Sequence, residues 1–145
     1  MMRHWHNYVR AGWELVMDSQ QSSSIYLDTD LEAFLVHLIA RTLDKTAIWD
    51  EPIAIRLLQA QSLPQSQQPI VLRSVGEECL FIDAWQIKQV RWPNPKYFQE
   101  MGQVAFSLAS LASRPPDELL DLVGNNFPIM SKVLRQTKNL HLSKH

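Results

Sequence analysis

The chain has 145 residues, of which 46% are hydrophobic and 20% are charged, and its formal net charge is −1. A chain of this length fits one domain that buries roughly two-thirds of its unfolded surface, so it needs no disulfide or metal in order to fold. The composition excludes a disordered protein, and the small net charge provides no overall field that would recruit nucleic acid or an anionic membrane.

The sequence also indicates in which cellular compartment the protein is located. The single cysteine, Cys79, cannot form an internal disulfide, which fits a reducing environment. The N-terminal run MMRHWHNYVR lacks the unbroken apolar core of a secretory signal, and no apolar run is long enough to cross a bilayer. We therefore expect a cytoplasmic protein without a membrane partner.

The first predicted helix, residues 4–20, has apolar side chains around most of its circumference. Three of them are aromatic, namely Trp5, Tyr8 and Trp13. This excess of apolar surface predicts contacts on two sides of the helix, either within the domain or with another chain. The glutamines and serines of residues 20–24 follow, and their composition is typical of a linker.

The second predicted helix, residues 31–43, reads LEAFLVHLIARTL and is apolar at the three-and-four spacing of a helix face. Val36 adds apolar surface beyond that face, so the helix should be covered on more than one flank and lie centrally. Thr29 and Glu32 have the spacing of a capping box at its start.

Five further helices are predicted in the second part of the chain. The third should begin near Asp50, the fourth should span residues 69–85, and the fifth should begin at Asn94 and Pro95. A sixth helix should span residues 117–123, after the prolines at 115 and 116, and the last helix should begin near Pro128. The residues predicted to share a face are Ile53, Leu57, Leu58 and Gln61 in the third helix, Leu72, Val75, Cys79 and Ile82 in the fourth, Tyr97, Met101, Val104, Leu108 and Leu111 in the fifth, and Phe127, Met130, Val133, Leu134 and Thr137 in the last.

Glycines and alanines add two expectations about packing. Gly76 in the middle of the fourth helix predicts the close approach of a neighbouring helix, because glycine there costs about 1 kcal/mol relative to alanine. In the fifth helix, the small residues Gly102, Ala105, Ala109 and Ala112 form a stripe suited to tight packing.

No convincing strand alternation appears, so we predict an all-α fold, a single compact bundle of five to seven helices. Residues 1–24 would form an N-terminal aromatic helix with its linker, residues 25–140 the helical core, and residues 141–145 a frayed tail.

Residues 31–137 resemble a family of small, uncharacterised all-helical proteobacterial proteins. The similarity lies in LVHLIARTL, in RSVGEECL from Arg73 to Leu80, in KYFQEMGQVAF from Lys96 to Phe106, and in FPIMSKVL. The family pattern has an aspartate where this chain has Glu77, and a Phe-Pro turn where this chain has residues 85–95. The resemblance implies an all-α domain and brings no activity, cofactor or site residues with it.

Candidate residues for chemistry are few. The close pair His4 and His6 has no further ligand nearby in sequence, so solvent-exposed histidines are a better interpretation than a zinc site. Glu77 lies one turn from Arg73, which is typical of a surface ion pair, and the neighbouring Glu78 points about 100° away from it. Cys79 lies on the apolar face of its helix, which predicts a buried, inert thiol. We therefore predict no enzyme activity, no cofactor and no metal.

Aromatic residues are the strongest anomaly. The chain has five tryptophans, and this residue type is enriched at binding hot spots. Around Trp92, the cations Lys88, Arg91 and Lys96 occur with no intervening acid. The candidate interaction surface therefore comprises Trp5, Tyr8, Trp13, Trp85, Arg91, Trp92, Lys96 and Tyr97.

Three functions fit this pattern. The first is a non-enzymatic protein–protein interaction module that binds itself or another protein. The second is a small-molecule-binding regulatory domain with a pocket between helices, lined by aromatics and a cation such as Arg73 or Arg91. The third, weak binding of nucleic acid through the basic aromatic loop, is the least favoured, because three cations are few.

Overall fold

The computed structural model describes residues 2–44 and 52–143 of the chain. These residues form seven helices and no strand, which confirms the predicted all-α class. None of these helices combines the length and the apolar character needed to cross a membrane. The helices are α1 (Met2–Ser23), α2 (Thr29–Asp44), α3 (Ile53–Gln61), α4 (Gln68–Trp85), α5 (Tyr97–Ala112), α6 (Glu118–Asn125) and α7 (Phe127–Ser143).

The chain divides into two compact units. Unit 1 comprises Met1–Ile48 and Ile129–His145, and unit 2 comprises Trp49–Pro128. Unit 1 therefore contains α1, α2 and most of α7, whereas unit 2 contains α3 to α6. Each unit has buried apolar side chains of its own.

In unit 1, α1 packs against α2 and continues to Ser23, so the linker predicted for residues 20–24 is wrong over residues 20–23. The reason is the buried side chain of Gln20, which holds the start of α2. Its Oε1 accepts a hydrogen bond from the Leu27 amide at 2.7 Å, and its Nε2 donates to Oε2 of Glu32 at 2.6 Å. Ser24, with φ of 58°, then ends the helix.

The second helix has the broad apolar surface that the sequence predicts. Leu35, Val36 and Ala40 are fully buried although they point in different directions around α2, while His37 is exposed. The carbonyl of Val133 in α7 accepts a hydrogen bond from the Ser19 hydroxyl of α1. The predicted inner face of α7 is confirmed as well, since all of its members are fully buried: Phe127, Met130, Val133, Leu134 and Thr137.

In unit 2, α4 and α5 pack against each other along their length. The predicted face of α4 is confirmed as buried. Gly76 lies where the sequence expects a close approach, because a β-carbon at this position would be 2.9 Å from the ring of Phe106 in α5.

The fifth helix packs through the stripe of small residues, with two phenylalanines added. The buried residues are Phe98, Gly102, Ala105, Phe106, Ala109 and Ser110. Val104 and Leu111, from the other predicted face, are 47% and 62% exposed. The helices that α5 contacts within unit 2 include α4 and α6.

Two boundaries also differ from the prediction. Asp50 lies outside the described residues, and α3 begins at Ile53 with Pro52 as its N-cap residue. On α3, Leu58 is 69% exposed, so its predicted inward position is wrong. The fifth helix begins at Tyr97, three residues after Asn94.

Candidate functional site

The connection between α4 and α5, residues 86–96, is the longest described loop. The side chain of Trp92 fixes its conformation. Gln86 ends α4 in the left-handed conformation, with φ of 52°. The Nε1–H of Trp92 donates to the carbonyl of Ile87 at 2.7 Å, and its ring packs edge-on against Phe98 with centroids 4.7 Å apart. Trp92 is thereby half-buried, and it fixes the loop against the first turn of α5.

A cavity of about 390 Å³ lies between this loop and the helices of unit 2. The volume is near the lower end of the range of roughly 300–1,000 Å³ that is usual for small-molecule sites. Four segments contribute to it, namely the start of α3, the middle of α4, the loop and the start of α5. The lining residues are Pro52, Ile53, Glu78, Ile82, Gln89, Val90, Arg91, Pro93, Tyr97 and Phe98.

Apart from Glu78, the inner part of the cavity is apolar, and its outer part carries polar side chains. Ile53, Ile82 and Phe98 are at most 5% exposed, so they form a floor held by the packing of unit 2. Gln89 and Arg91 are exposed and lie on the loop. An apolar floor favours the burial of a hydrophobic ligand, and the polar side chains can orient it.

Glu78 is the acidic residue among those that line the cavity, and its side chain is half-buried. Its Oε2 atom is buried and forms an ion pair with Arg56 of α3. This ion pair links α3 to α4. The guanidinium of Arg56 compensates the negative charge of the Glu78 carboxylate within unit 2. The neighbouring Glu77 instead accepts a hydrogen bond from Nε of Arg73 at 3.1 Å, which confirms the predicted pair one turn apart.

The thiol of Cys79 is fully buried on α4, as the sequence predicts. Burial raises the pKa of this thiol to about 12, an effect that Arg56 partly offsets and Asp83 reinforces. The thiol is therefore protonated at physiological pH, and a protonated thiol is a poor nucleophile and metal ligand.

The structure distributes the predicted interaction residues between the two units. Trp5, Tyr8 and Trp13 are half-buried in unit 1. In unit 2, the half-buried Trp85 packs edge-on against Phe81 with centroids 5.4 Å apart, and Lys96 is exposed outside the cavity. Trp49, the fifth tryptophan, lies outside the described residues.

Of the eight candidates, Arg91 and Tyr97 line the cavity. Trp92 lies behind it, against Phe98. Arg73, the other cation named for a pocket, pairs with Glu77 and does not line this cavity.

Sequence reasoning missed the inner wall of the cavity. Glu78 gives no sequence signal of a site, because its partner Arg56 is 22 positions away in another helix. Phe98 is a single aromatic residue next to Tyr97, and only the contact with Trp92 reveals its role in the floor.

A metal centre finds no support in the described part of the chain, where no three His, Cys, Asp or Glu side chains lie together as ligands. Comparisons with protein-family models, with curated proteins and with solved structures gave no match for this chain.

Proposed function

We propose that this chain is a small-molecule-binding domain with a regulatory role, and that the cavity of unit 2 is its binding site. The observation that carries the proposal is the combination of an apolar floor with polar side chains at the opening in one cavity of about 390 Å³. Such a site excludes water from the ligand and fixes its orientation through a few hydrogen bonds.

The proposal concerns binding and not catalysis. The carboxylate of Glu78 is engaged by Arg56, and the raised pKa of Cys79 keeps its thiol protonated. Neither group is therefore prepared to act as a base or nucleophile. A single cysteine, and the resemblance to proteobacterial proteins, support placing the domain in the cytoplasm of a bacterial cell.

Closing the cavity should abolish ligand binding without unfolding the chain. Gln89 is an exposed residue of the cavity wall, so Gln89→Trp adds an indole at the opening and leaves the core unchanged. A ligand present at one hundred times its dissociation constant stabilises a protein by about 2.7 kcal/mol. In a metabolite panel we therefore expect one class of compound to raise the melting temperature of the wild type by roughly 5–9 °C and that of Gln89→Trp by less than about 1 °C.

Gln61→Trp is the matched control, because Gln61 is also an exposed glutamine of unit 2 but lies outside the cavity. It should keep the full ligand-induced shift. Equal shifts in the two tryptophan variants, or a panel without any stabilising compound, would refute the proposed site.

A second candidate function is self-association or binding of another protein through α1. Trp13 and Met17 lie one helical turn apart, and Met17 is 52% exposed. Trp5 and Tyr8 add half-buried aromatic surface nearer the N-terminus. A tryptophan beside an exposed apolar side chain is a common centre of a protein–protein interface.

Sedimentation velocity over a range of concentrations tests this candidate. We expect the wild type to form dimers at micromolar concentrations and Met17→Glu to weaken the dimer by about tenfold or more, because a charge would be buried without a partner. The control Ser22→Glu places the same acid at an exposed position of α1 that lies about 140° around the helix from Met17, and it should leave the dimer unchanged. A wild type that sediments as a monomer at every concentration rules out self-association through α1.

A further inference from the structure

The cavity of unit 2 has an uneven distribution of charge. On its inner side the negative charge of Glu78 is compensated by Arg56. At its opening, Arg91 is exposed and forms no ion pair within the described part of the chain. Among the described residues that line the cavity, the charge left without a partner is therefore the positive charge of Arg91.

Neighbouring side chains of the loop strengthen this positive field. Residues 86–98 contain Lys88, Arg91 and Lys96 and no acidic residue. Both lysines are exposed and lie outside the cavity wall, so they add to the field without contacting a bound molecule. A positive opening over an apolar floor selects molecules that carry an anionic group at one end and an apolar body at the other.

We propose that the ligand is a small aromatic carboxylic acid, an inference that rests on the binding function proposed above. Its ring would lie on the floor formed by Ile53, Ile82 and Phe98, and its carboxylate would bind the guanidinium of Arg91. The planar guanidinium donates two parallel hydrogen bonds that match the two oxygens of a carboxylate.

The orientation follows from the cost of burying charge. A carboxylate on the apolar floor would lose its hydration without a partner, and there it would also lie near the carboxylate of Glu78. At the opening it keeps both water and Arg91. The phenolic hydroxyl of Tyr97, which also lines the cavity, can donate a further hydrogen bond to the same group.

Three probes that share one ring test the charge preference. Phenylacetate carries an anion, 2-phenylethylamine a cation and phenylacetamide a neutral head group. Each is titrated into the ¹⁵N-labelled full-length chain, and the indole signal of Trp92 serves as the reporter because its ring contacts Phe98. That signal is assigned as the one missing from Trp92→Phe. We expect phenylacetate to bind with a dissociation constant on the order of 1 mM, as its size allows, and at least about tenfold more tightly than the amine or the amide.

A variant of Arg91 shows how much of the binding free energy comes from its charge and how much from the shape of the cavity. Arg91→Gln should weaken phenylacetate binding by about tenfold to one-hundredfold, the usual effect of losing a hydrogen bond to a charged group, and should leave the amide unchanged. Arg10→Gln removes an exposed arginine of α1 in unit 1 and should have no effect on either probe.

The results distinguish the ligand class from the binding function. Phenylacetate that binds no better than the amine or the amide, or that binds Arg91→Gln as tightly as the wild type, overturns the proposed class. If the metabolite panel meanwhile gives a stabilising compound that Gln89→Trp no longer binds, the cavity remains a ligand site of another class. If no compound of the panel binds, both proposals fail.

Discussion

Phe106→Ala is expected to lower the free energy of unfolding by about 3–5 kcal/mol, the usual cost of removing a buried aromatic side chain. Phe106 is fully buried in the middle of α5. Its ring contacts the backbone of α4 at Gly76 and lies near Phe127, with centroids 6.4 Å apart. Because these surroundings are helical backbone and another fully buried ring, they can close the resulting cavity only in part.

Urea denaturation followed by far-UV circular dichroism measures this loss. The control is Leu111→Ala, which shortens a side chain of the same helix that is 62% exposed. It should change the free energy of unfolding by less than about 0.5 kcal/mol. A loss below about 1.5 kcal/mol in Phe106→Ala would mean that unit 2 does not pack around this ring.

Gly102→Ala should destabilise the chain although it replaces glycine by the best helix former. In the interior of α5, alanine gains about 1 kcal/mol over glycine from backbone entropy. However, a β-carbon on Gly102 would lie 2.3 Å from Cε2 of Phe127 and 2.9 Å from Cβ of Cys79, well inside the contact distance of about 3.5–4.0 Å between carbon atoms. Since both neighbours are fully buried, overpacking should cost about 3 kcal/mol and leave a net loss of about 2 kcal/mol.

Gly124→Ala provides the matched comparison in α6. The nearest atom to a β-carbon there is Cβ of Phe106 at 3.2 Å, a contact that a small shift relieves. We expect its free energy of unfolding to stay within about 1 kcal/mol of the wild type, because the gain in helix propensity offsets the tight contact. If the two alanine variants were equally stable, the close packing of α5 on α4 and Phe127 would be disproved.

The helices themselves could be predicted from local sequence. The inner faces of α4 and α7 follow from periodicity, which is a property of a few adjacent turns. The second helix begins at Thr29, two residues before the predicted range of 31–43, and the side chain of Glu32 accepts a hydrogen bond from Gln20. The prediction of secondary structure was wrong where side-chain contacts with another segment of the chain stabilise the observed structure. Residues 20–23 have the composition of a linker, yet they are helical because the side chain of Gln20 binds Leu27 and Glu32.

The candidate site could be predicted only in part. Arg91 and Tyr97 were found because a basic aromatic loop is visible in the sequence, and both line the cavity. The floor and the compensated Glu78 come from three helices that are distant in sequence, so no local pattern connects them.

The sequence by itself determined the all-α fold class, because the spacing of apolar residues determines which segments are helical. The tertiary structure decided which face of each helix is buried. On α5, the sequence has both a face of large residues and a stripe of small residues, and the tertiary structure buries Gly102, Ala105 and Ala109 of the stripe together with two phenylalanines. The same packing leaves space beside Phe98 for the cavity, since the volume between helices depends on side chains from all of them and not on any one segment.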